Sequence, residues 1–137
     1  MAAPARPAAD AGDAPDDQPV VYYFARDLFF GVRLIEGLTR LHCAARPITG
    51  ATAGDLGATA ALAIVDLSAP DAQWQPVIEA AHAAGVPVLA FGSHMDQERW
   101  QLARALGATR IVANSQLIER FPELVGRLVS PKGAGPP

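Results

Sequence analysis

The chain has 137 residues and a formal net charge of −3, and half of its residues are hydrophobic. This length suits one domain, and this hydrophobic fraction can bury a core, which excludes a chain that is disordered throughout. The 11 basic residues do not outnumber the 14 acidic ones, and there is only one cysteine. We therefore expect no nucleic-acid partner and no internal disulfide framework.

Both ends of the chain are predicted to be disordered. Residues 1–19 are rich in Ala, Pro, Asp and Gly, contain no Val, Leu or Ile, and hold four aspartates against one arginine. Burial cannot offset the entropy lost on ordering such an acidic tail. Residues 130–137, SPKGAGPP, form a second predicted disordered tail. Residues 20–129 remain as the folded domain; with no secretory signal and no apolar run long enough to span a membrane, we expect a cytoplasmic protein.

The folded segment begins with a strand and a helix. Residues 20–24 are β-branched and aromatic, which predicts a strand buried on both faces. Asp27 then predicts a helix N-cap. The predicted core face of this helix contains Leu28, Val32, Ile35 and Leu38, with Leu34 and Leu41 beside it. Because Phe29 and Phe30 are adjacent on the helix, they cannot both face one core, and one of them is expected near the surface.

The next four predicted elements are a short strand, a stunted helix, a buried strand and a full-length helix. Residues 46–49 predict a short edge strand, since Pro47 cannot donate a backbone hydrogen bond, and residues 51–59 predict at most a stunted helix. A buried strand is predicted over residues 61–65, ending at Asp66. A helix then runs from Pro70, which suits a first turn, to a closing glycine at Gly85. Its core face contains Trp74, Val77, Ile78 and Ala81.

The last third repeats the pattern. A strand is predicted over residues 86–91, and the next helix is capped by Asp96 and ended by Gly107. Its core side contains Trp100, Ala103 and Leu106. A fifth strand is predicted over residues 109–113. One final helix over residues 116–129 has Pro122 near its start and Leu124, Val125 and Leu128 towards the core.

Strands that alternate with helices predict right-handed crossovers and a parallel sheet. Five strands in about 110 residues fit the flavodoxin-like order 2-1-3-4-5, with helices on both faces and a shortened second helix. In such sheets the functional crevice lies beyond the carboxyl ends of the strands. The residues expected there are 25–27, 66–68, 92–94 and 114–115.

Three stretches then carry a resemblance to a known family: AIVDLSAP at 63–70, AAGVPVLAFGS at 83–93 and ARALGATRIVANS at 103–115. With the alternating pattern, they make nearly the whole folded segment resemble the receiver domain of bacterial two-component response regulators. In that family an aspartate at the end of the third strand accepts a phosphoryl group. The resemblance places Asp66 at that phosphoacceptor position.

The other receiver positions depart from the family pattern. The acid pair that holds Mg²⁺ aligns with Ala25 and Arg26, or with Arg26 and Asp27 if the register shifts by one residue. The hydroxyl position aligns with Gly92, with Ser93 next to it. The position of the family's lysine aligns with Asn114, and that of its aromatic switch residue aligns with Ile111. The resemblance therefore implies a degenerate receiver, a pseudo-receiver, that needs no cofactor and no metal.

Three functional hypotheses follow. In the first, a stand-alone pseudo-receiver acts in signalling by binding another protein and catalyses nothing; Asp66 caps its own loop or pairs with Arg26. In the second, a histidine kinase phosphorylates Asp66 on a divergent single-domain response regulator, the one hypothesis in which weak Mg²⁺ binding is expected. In the third, the loop Gly92-Ser93-His94 binds a small ligand or forms an enzyme site.

The third hypothesis has the weakest support from the sequence. No G-x-S-x-G elbow exposes a nucleophile, and the histidines and Cys43 lack the spacing of metal ligands. His94 is otherwise expected to be a polar, pH-sensitive group at the helix entry.

The expected partner of the first hypothesis is another protein of unspecified identity, or a second copy in a homodimer. Receivers commonly use their fourth and fifth helices for such contacts. Counting the stunted helix, the fourth helix carries Trp100, and the fifth is the one over residues 116–129. The candidate interface residues are Trp100, Ile111 and Phe121.

Overall fold

A five-stranded parallel sheet lies at the centre of the computed structural model, which describes residues 18–57 and 59–129. The strand order is β2-β1-β3-β4-β5, and the predicted flavodoxin-like fold is confirmed. Nearly all of the two predicted tails, residues 1–17 and 130–137, lie outside the described residues. The elements are β1 (Val20–Phe24), α1 (Leu28–Arg40), β2 (Ala44–Pro47), a 3₁₀ helix (Ala53–Asp55), β3 (Leu62–Asp66), α2 (Asp71–Ala83), β4 (Val88–Gly92), α3 (Gln97–Leu106), β5 (Arg110–Ala113), α4 (Asn114–Glu119) and α5 (Phe121–Leu128).

Both faces of the sheet are covered by helices, because side chains alternate along each strand. Ile64 of β3 points into a core formed with α1, α4 and α5, while Val65 points into a core formed with α2 and α3. All five residues of β3 and of β4 are buried. These two strands therefore form a rigid centre from which the crevice loops extend.

The helix ends follow the predicted signals. The Asp27 carboxylate accepts a hydrogen bond from the Phe30 amide (3.0 Å), and that of Asp96 accepts one from the Arg99 amide (3.4 Å). Gly85 and Gly107 adopt positive φ angles of 74° and 118° after α2 and α3. The predicted core residues of α2, including Trp74, are fully buried. No helix in the described part of the chain has both the length and the apolar character that a membrane crossing needs.

The predicted core face of α1 is wrong at three of its four residues. Leu38 is buried as predicted, together with Gly31 and Leu34, whereas Leu28, Val32 and Ile35 are exposed. The helix carries apolar residues on two faces, and one glycine favours the observed one. A Cβ atom at Gly37 would come within 2.6 Å of the Phe121 ring. Close approach of α5 therefore selects this face.

The aromatic pair on α1 divides as predicted. The Phe29 side chain is exposed, while Phe30 is partly buried and packs against Phe91, with ring centroids 5.5 Å apart. The 3₁₀ helix at Ala53–Asp55 corresponds to the predicted stunted helix.

The strands β3, β4 and β5 lie within two residues of their predicted bounds, and two other elements differ more. The edge strand β2 covers Ala44–Pro47 instead of residues 46–49, because a tight turn after α1 already starts pairing at Val20 with Ala44. The single predicted helix over residues 116–129 is two helices that meet at Arg120. Pro122 accounts for this break, since it has no N–H to donate to the carbonyl of Ile118 and fits the first turn of a new helix.

Candidate functional site

The carboxyl ends of four neighbouring strands meet at one edge of the sheet. Phe24 pairs with Val65, Asp66 with Phe91, and Gly92 with Ala113. The residues that directly follow or end these strands therefore form one crevice. It brings together most of the predicted site residues, Ala25, Arg26, Asp27, Asp66, Gly92, Ser93 and Asn114.

Asp66 is the only buried charged side chain in the described part of the chain, with 1% of its surface exposed. Both carboxylate oxygens accept backbone hydrogen bonds. Oδ2 accepts from the Arg26 amide (3.1 Å), and Oδ1 accepts from the Ser68 amide (2.9 Å). The carboxylate thus ties the loop after β1 to the loop after β3, which is the capping arrangement of a strand-end aspartate.

The Arg26 side chain lies beside this carboxylate. Its Nε atom is 4.0 Å from Asp66 Oδ2 and 3.5 Å from Asp27 Oδ2, and the side chain is half-exposed. Asp27 meanwhile uses Oδ1 to cap α1. A guanidinium group therefore lies within ion-pair distance of both the Asp66 and the Asp27 carboxylates.

The donor set at Asp66 does not fit Mg²⁺. This cation takes an octahedral shell of oxygen ligands, usually with one or two carboxylates. Here one carboxylate is already bonded through both oxygens, and the nearest charged neighbour is the cation of Arg26. Residues 18–57 and 59–129 contain no group of three or more His, Cys, Asp or Glu side chains that could hold a metal ion.

Arg99 is a crevice residue that the sequence did not reveal. Its guanidinium donates to the carbonyl oxygens of Leu67 and Ala69 in the loop after β3. It also lies 3.2 Å from an Asp96 oxygen and 3.5 Å from an Asp71 oxygen. Through one side chain, the first turn of α3 is joined to the loop that follows Asp66. The only sequence feature that could have indicated this role is the position of Arg99 in the first turn of a helix that starts at the crevice.

A small cavity of about 230 Å³ lies beside the Gly92-Ser93-His94 loop. It is lined by Gly92, Ser93 and five further residues, Leu67, Ser68, Asp96, Arg99 and Trp100. This is below the range of about 300–1,000 Å³ that is typical of small-molecule sites. The Ser93 hydroxyl accepts from the Met95 amide (3.2 Å), and His94 is exposed and does not line the cavity.

The remaining predicted site residues differ in their environment. Asn114 begins α4, and its Oδ1 atom is buried with no hydrogen-bond partner among the described residues. Trp100 and Ile111 are partly buried against the α2–α3 core. The Phe121 ring is buried against Gly37 of α1, so it offers little surface to a partner.

Cys43 lies away from the crevice, in the core under α1. Burial raises the pKa of its thiol above the ordinary value, which lowers the thiolate fraction at neutral pH. This agrees with a packed apolar side chain instead of a reactive thiol.

No family model matches the sequence, and no curated protein matches it. Solved structures do resemble the fold. The chemotaxis protein CheY4 of Vibrio cholerae superposes with a TM-score of 0.68 and 15% identity, over 82% of this chain and 99% of that one. A response regulator receiver protein from Pseudomonas putida gives a TM-score of 0.67 and 18% identity, over 80% and 97%.

A third similar structure is a CheY-like protein, tadZ, from Pseudomonas aeruginosa PAO1. Its TM-score is 0.65 at 16% identity, over 81% of this chain and 99% of that one. Identities this low support a statement about architecture. The chain has the fold of a response regulator receiver domain.

Proposed function

We propose that this protein is a pseudo-receiver, a signalling module that binds another protein and whose state is not set by an aspartyl phosphate. The observation that carries the proposal is the environment of Asp66. Its two oxygens are held by backbone donors, and the Arg26 guanidinium lies 4.0 Å from one of them. A cytoplasmic location and the lack of a catalytic activity are parts of the same proposal.

Phosphorylation would require much of this arrangement to change. A carboxylate oxygen must attack the phosphorus of the donor while cations neutralise the phosphoryl oxygens. Asp66 Oδ2 would have to leave the Arg26 amide, and the donor set does not favour Mg²⁺. The resemblance aligns Asn114 with the lysine position, and its amide cannot supply the charge-assisted hydrogen bond of about 1.5–3 kcal/mol that a lysine would give the product.

The contacts of Arg99 support the same proposal. A phosphate-driven receiver needs two arrangements of its crevice loops that differ little in free energy. Here the loop after β3 is bonded both to Asp66, through the Ser68 amide, and to Arg99, through two carbonyl oxygens. These contacts stabilise one arrangement without any ligand.

An NMR titration tests the proposal. Backbone amide spectra of the ¹⁵N-labelled full chain are recorded with Mg²⁺ alone and then with beryllofluoride, which mimics an aspartyl phosphate. We expect no saturable shift at residues 66–68, 25–27 or 92–94. An Asp66→Asn variant is the matched control, and a receiver of established phosphorylation run in parallel shows that the reagent is active.

Phosphorylation of Asp66 is the competing function, because this carboxylate does end β3 at the crevice edge. Saturable shifts around Asp66 that need Mg²⁺ and disappear in the Asn variant would establish it and refute the proposal. Shifts that persist in the variant would instead indicate an anion site elsewhere in the crevice.

A further inference from the structure

The outward face of α1 carries an apolar stripe that no part of the described chain covers. Leu28 is 87% exposed and Val32 is 50% exposed, and Phe29 and Ile35 are also exposed. Four of the six exposed large hydrophobic side chains in the described residues lie on this one helix. Clustered exposed apolar side chains of this kind mark an interaction site more often than single ones do.

The stripe continues into a groove. A cavity of about 360 Å³ lies between α1 and the ends of β1 and β2, and it is lined mainly by apolar atoms. Val32 and Ile35 form one wall, and Pro47 and Ile48 form the other. The apolar surface is therefore continuous from the helix to the edge strand, and a partner can bury side chains in the groove as well as along the helix.

The spacing of the stripe suits a helix as the partner. Leu28, Val32, Ile35 and the exposed Thr39 follow one another at intervals of four, three and four residues. This is the alternation that places side chains along the seam between two packed helices. Leu, Val and Ile are also the side chains that commonly fill such seams.

Two opposite charges beside the stripe, those of Arg33 and Glu36, can pair with the same two charges on a second copy of α1. Arg33 packs over the Phe29 ring, 5.5 Å from its centroid, and Glu36 lies one turn further along. Both the stripe and this charge pair are centred on the same turn of α1. When two copies of α1 pack antiparallel about a two-fold axis at that turn, each Arg33 comes level with Glu36 of the other copy on the same flank of the seam, within reach of the long arginine side chain. The opposed helix dipoles favour the same arrangement.

We propose that the α1 face binds a second copy of this chain, with the two α1 helices antiparallel. This interface differs from the predicted homodimer through the fourth and fifth predicted helices, because Phe121 is buried and the exposed apolar surface is on α1. The proposal does not depend on whether Asp66 is phosphorylated.

Analytical ultracentrifugation of the full chain tests the interface. Over a range of about 5–300 µM we expect a reversible monomer–dimer equilibrium. Val32→Asp places a charge in the seam and is expected to weaken the dimer by at least about tenfold. Met95→Asp is the control, since Met95 is 78% exposed in the loop before α3, and this variant is expected to dimerise like the wild type. Circular dichroism shows that each variant is folded.

Charge reversal gives a second test that leaves the apolar stripe intact. Arg33→Glu and Glu36→Arg alone each place like charges together at two symmetric positions, and each is expected to weaken the dimer about tenfold. The double variant restores both pairs and is expected to recover most of the affinity. A wild-type chain that stays monomeric throughout would overturn the proposal and leave a different protein as the occupant. A dimer that Val32→Asp leaves intact, or that the double variant does not restore, would overturn it as well.

Discussion

Asp66 ends β3 and Arg26 follows the neighbouring strand β1, and their proximity limits what either side chain can do. The carboxylate is buried and bonded to two amides, so it acts as a fixed link between loops. The guanidinium is half-exposed and within ion-pair distance of two carboxylates. A single residue, Arg26, thus supplies both an amide donor and a nearby cation to the Asp66 carboxylate.

His42 has an unfavourable backbone conformation that a substitution can relieve. It lies in the turn after α1 with φ of 60°, in the left-handed region that favours glycine. His42→Gly is therefore expected to raise the free energy of unfolding by about 1 kcal/mol, measured by urea denaturation. Gly85→Ala is a control variant that is expected to lower the free energy of unfolding. Its φ is 74° with open space around it, so about 1 kcal/mol should be lost. A neutral or destabilising His42→Gly would contradict this account.

Among the elements, α1 shows how a helix with two apolar faces chooses between them. The face with Leu34 and Leu38 is flanked by Gly37, which lacks the Cβ atom that would clash with the Phe121 ring and so lets α1 and α5 approach closely. The face with Leu28 and Val32 has no such glycine and stays exposed. The better packing of one face therefore leaves the other available to a partner.

The join between α3 and the loop after β3 depends on Arg99. Arg99→Ala leaves the carbonyl oxygens of Leu67 and Ala69 without this donor, and we expect a loss of about 2 kcal/mol in the free energy of unfolding. The amides of residues 67–69 should also exchange hydrogen faster, which mass spectrometry can measure. Arg104→Ala, on the exposed side of the same helix, should change neither quantity. Equal effects of the two variants would show that Arg99 does not hold the loop.

For the whole molecule, the two cores are expected to unfold together. They lie on opposite faces of the sheet, but β3 and β4 contribute alternate residues to both, so neither core persists without the other. Trp74 reports on one core through fluorescence, and the single cysteine, Cys43, reports on the other through thiol labelling. At one fixed concentration the two urea midpoints should coincide. Separate midpoints would reveal two independently stable layers.

Much of this architecture could be read from local patterns. The strands of β-branched residues, the caps at Asp27 and Asp96, and the glycines at positions 85 and 107 act through neighbours in the chain. The right-handed crossover of parallel strands then leaves few orders for five strands, and 2-1-3-4-5 is the one observed. Because strands of a parallel sheet end at a common edge, the loops that form the crevice could be predicted too.

Other features depend on residues that are distant in the sequence. The buried face of α1 depends on Phe121, more than 80 positions away, because that ring fills the space above Gly37. The contacts of Arg99 with Leu67 and Ala69 span about 30 positions, and those of Asp66 with Arg26 span 40. Local propensity and periodicity carry no information about such contacts, because their free energy comes from packing and hydrogen bonding between elements that meet only in the folded chain.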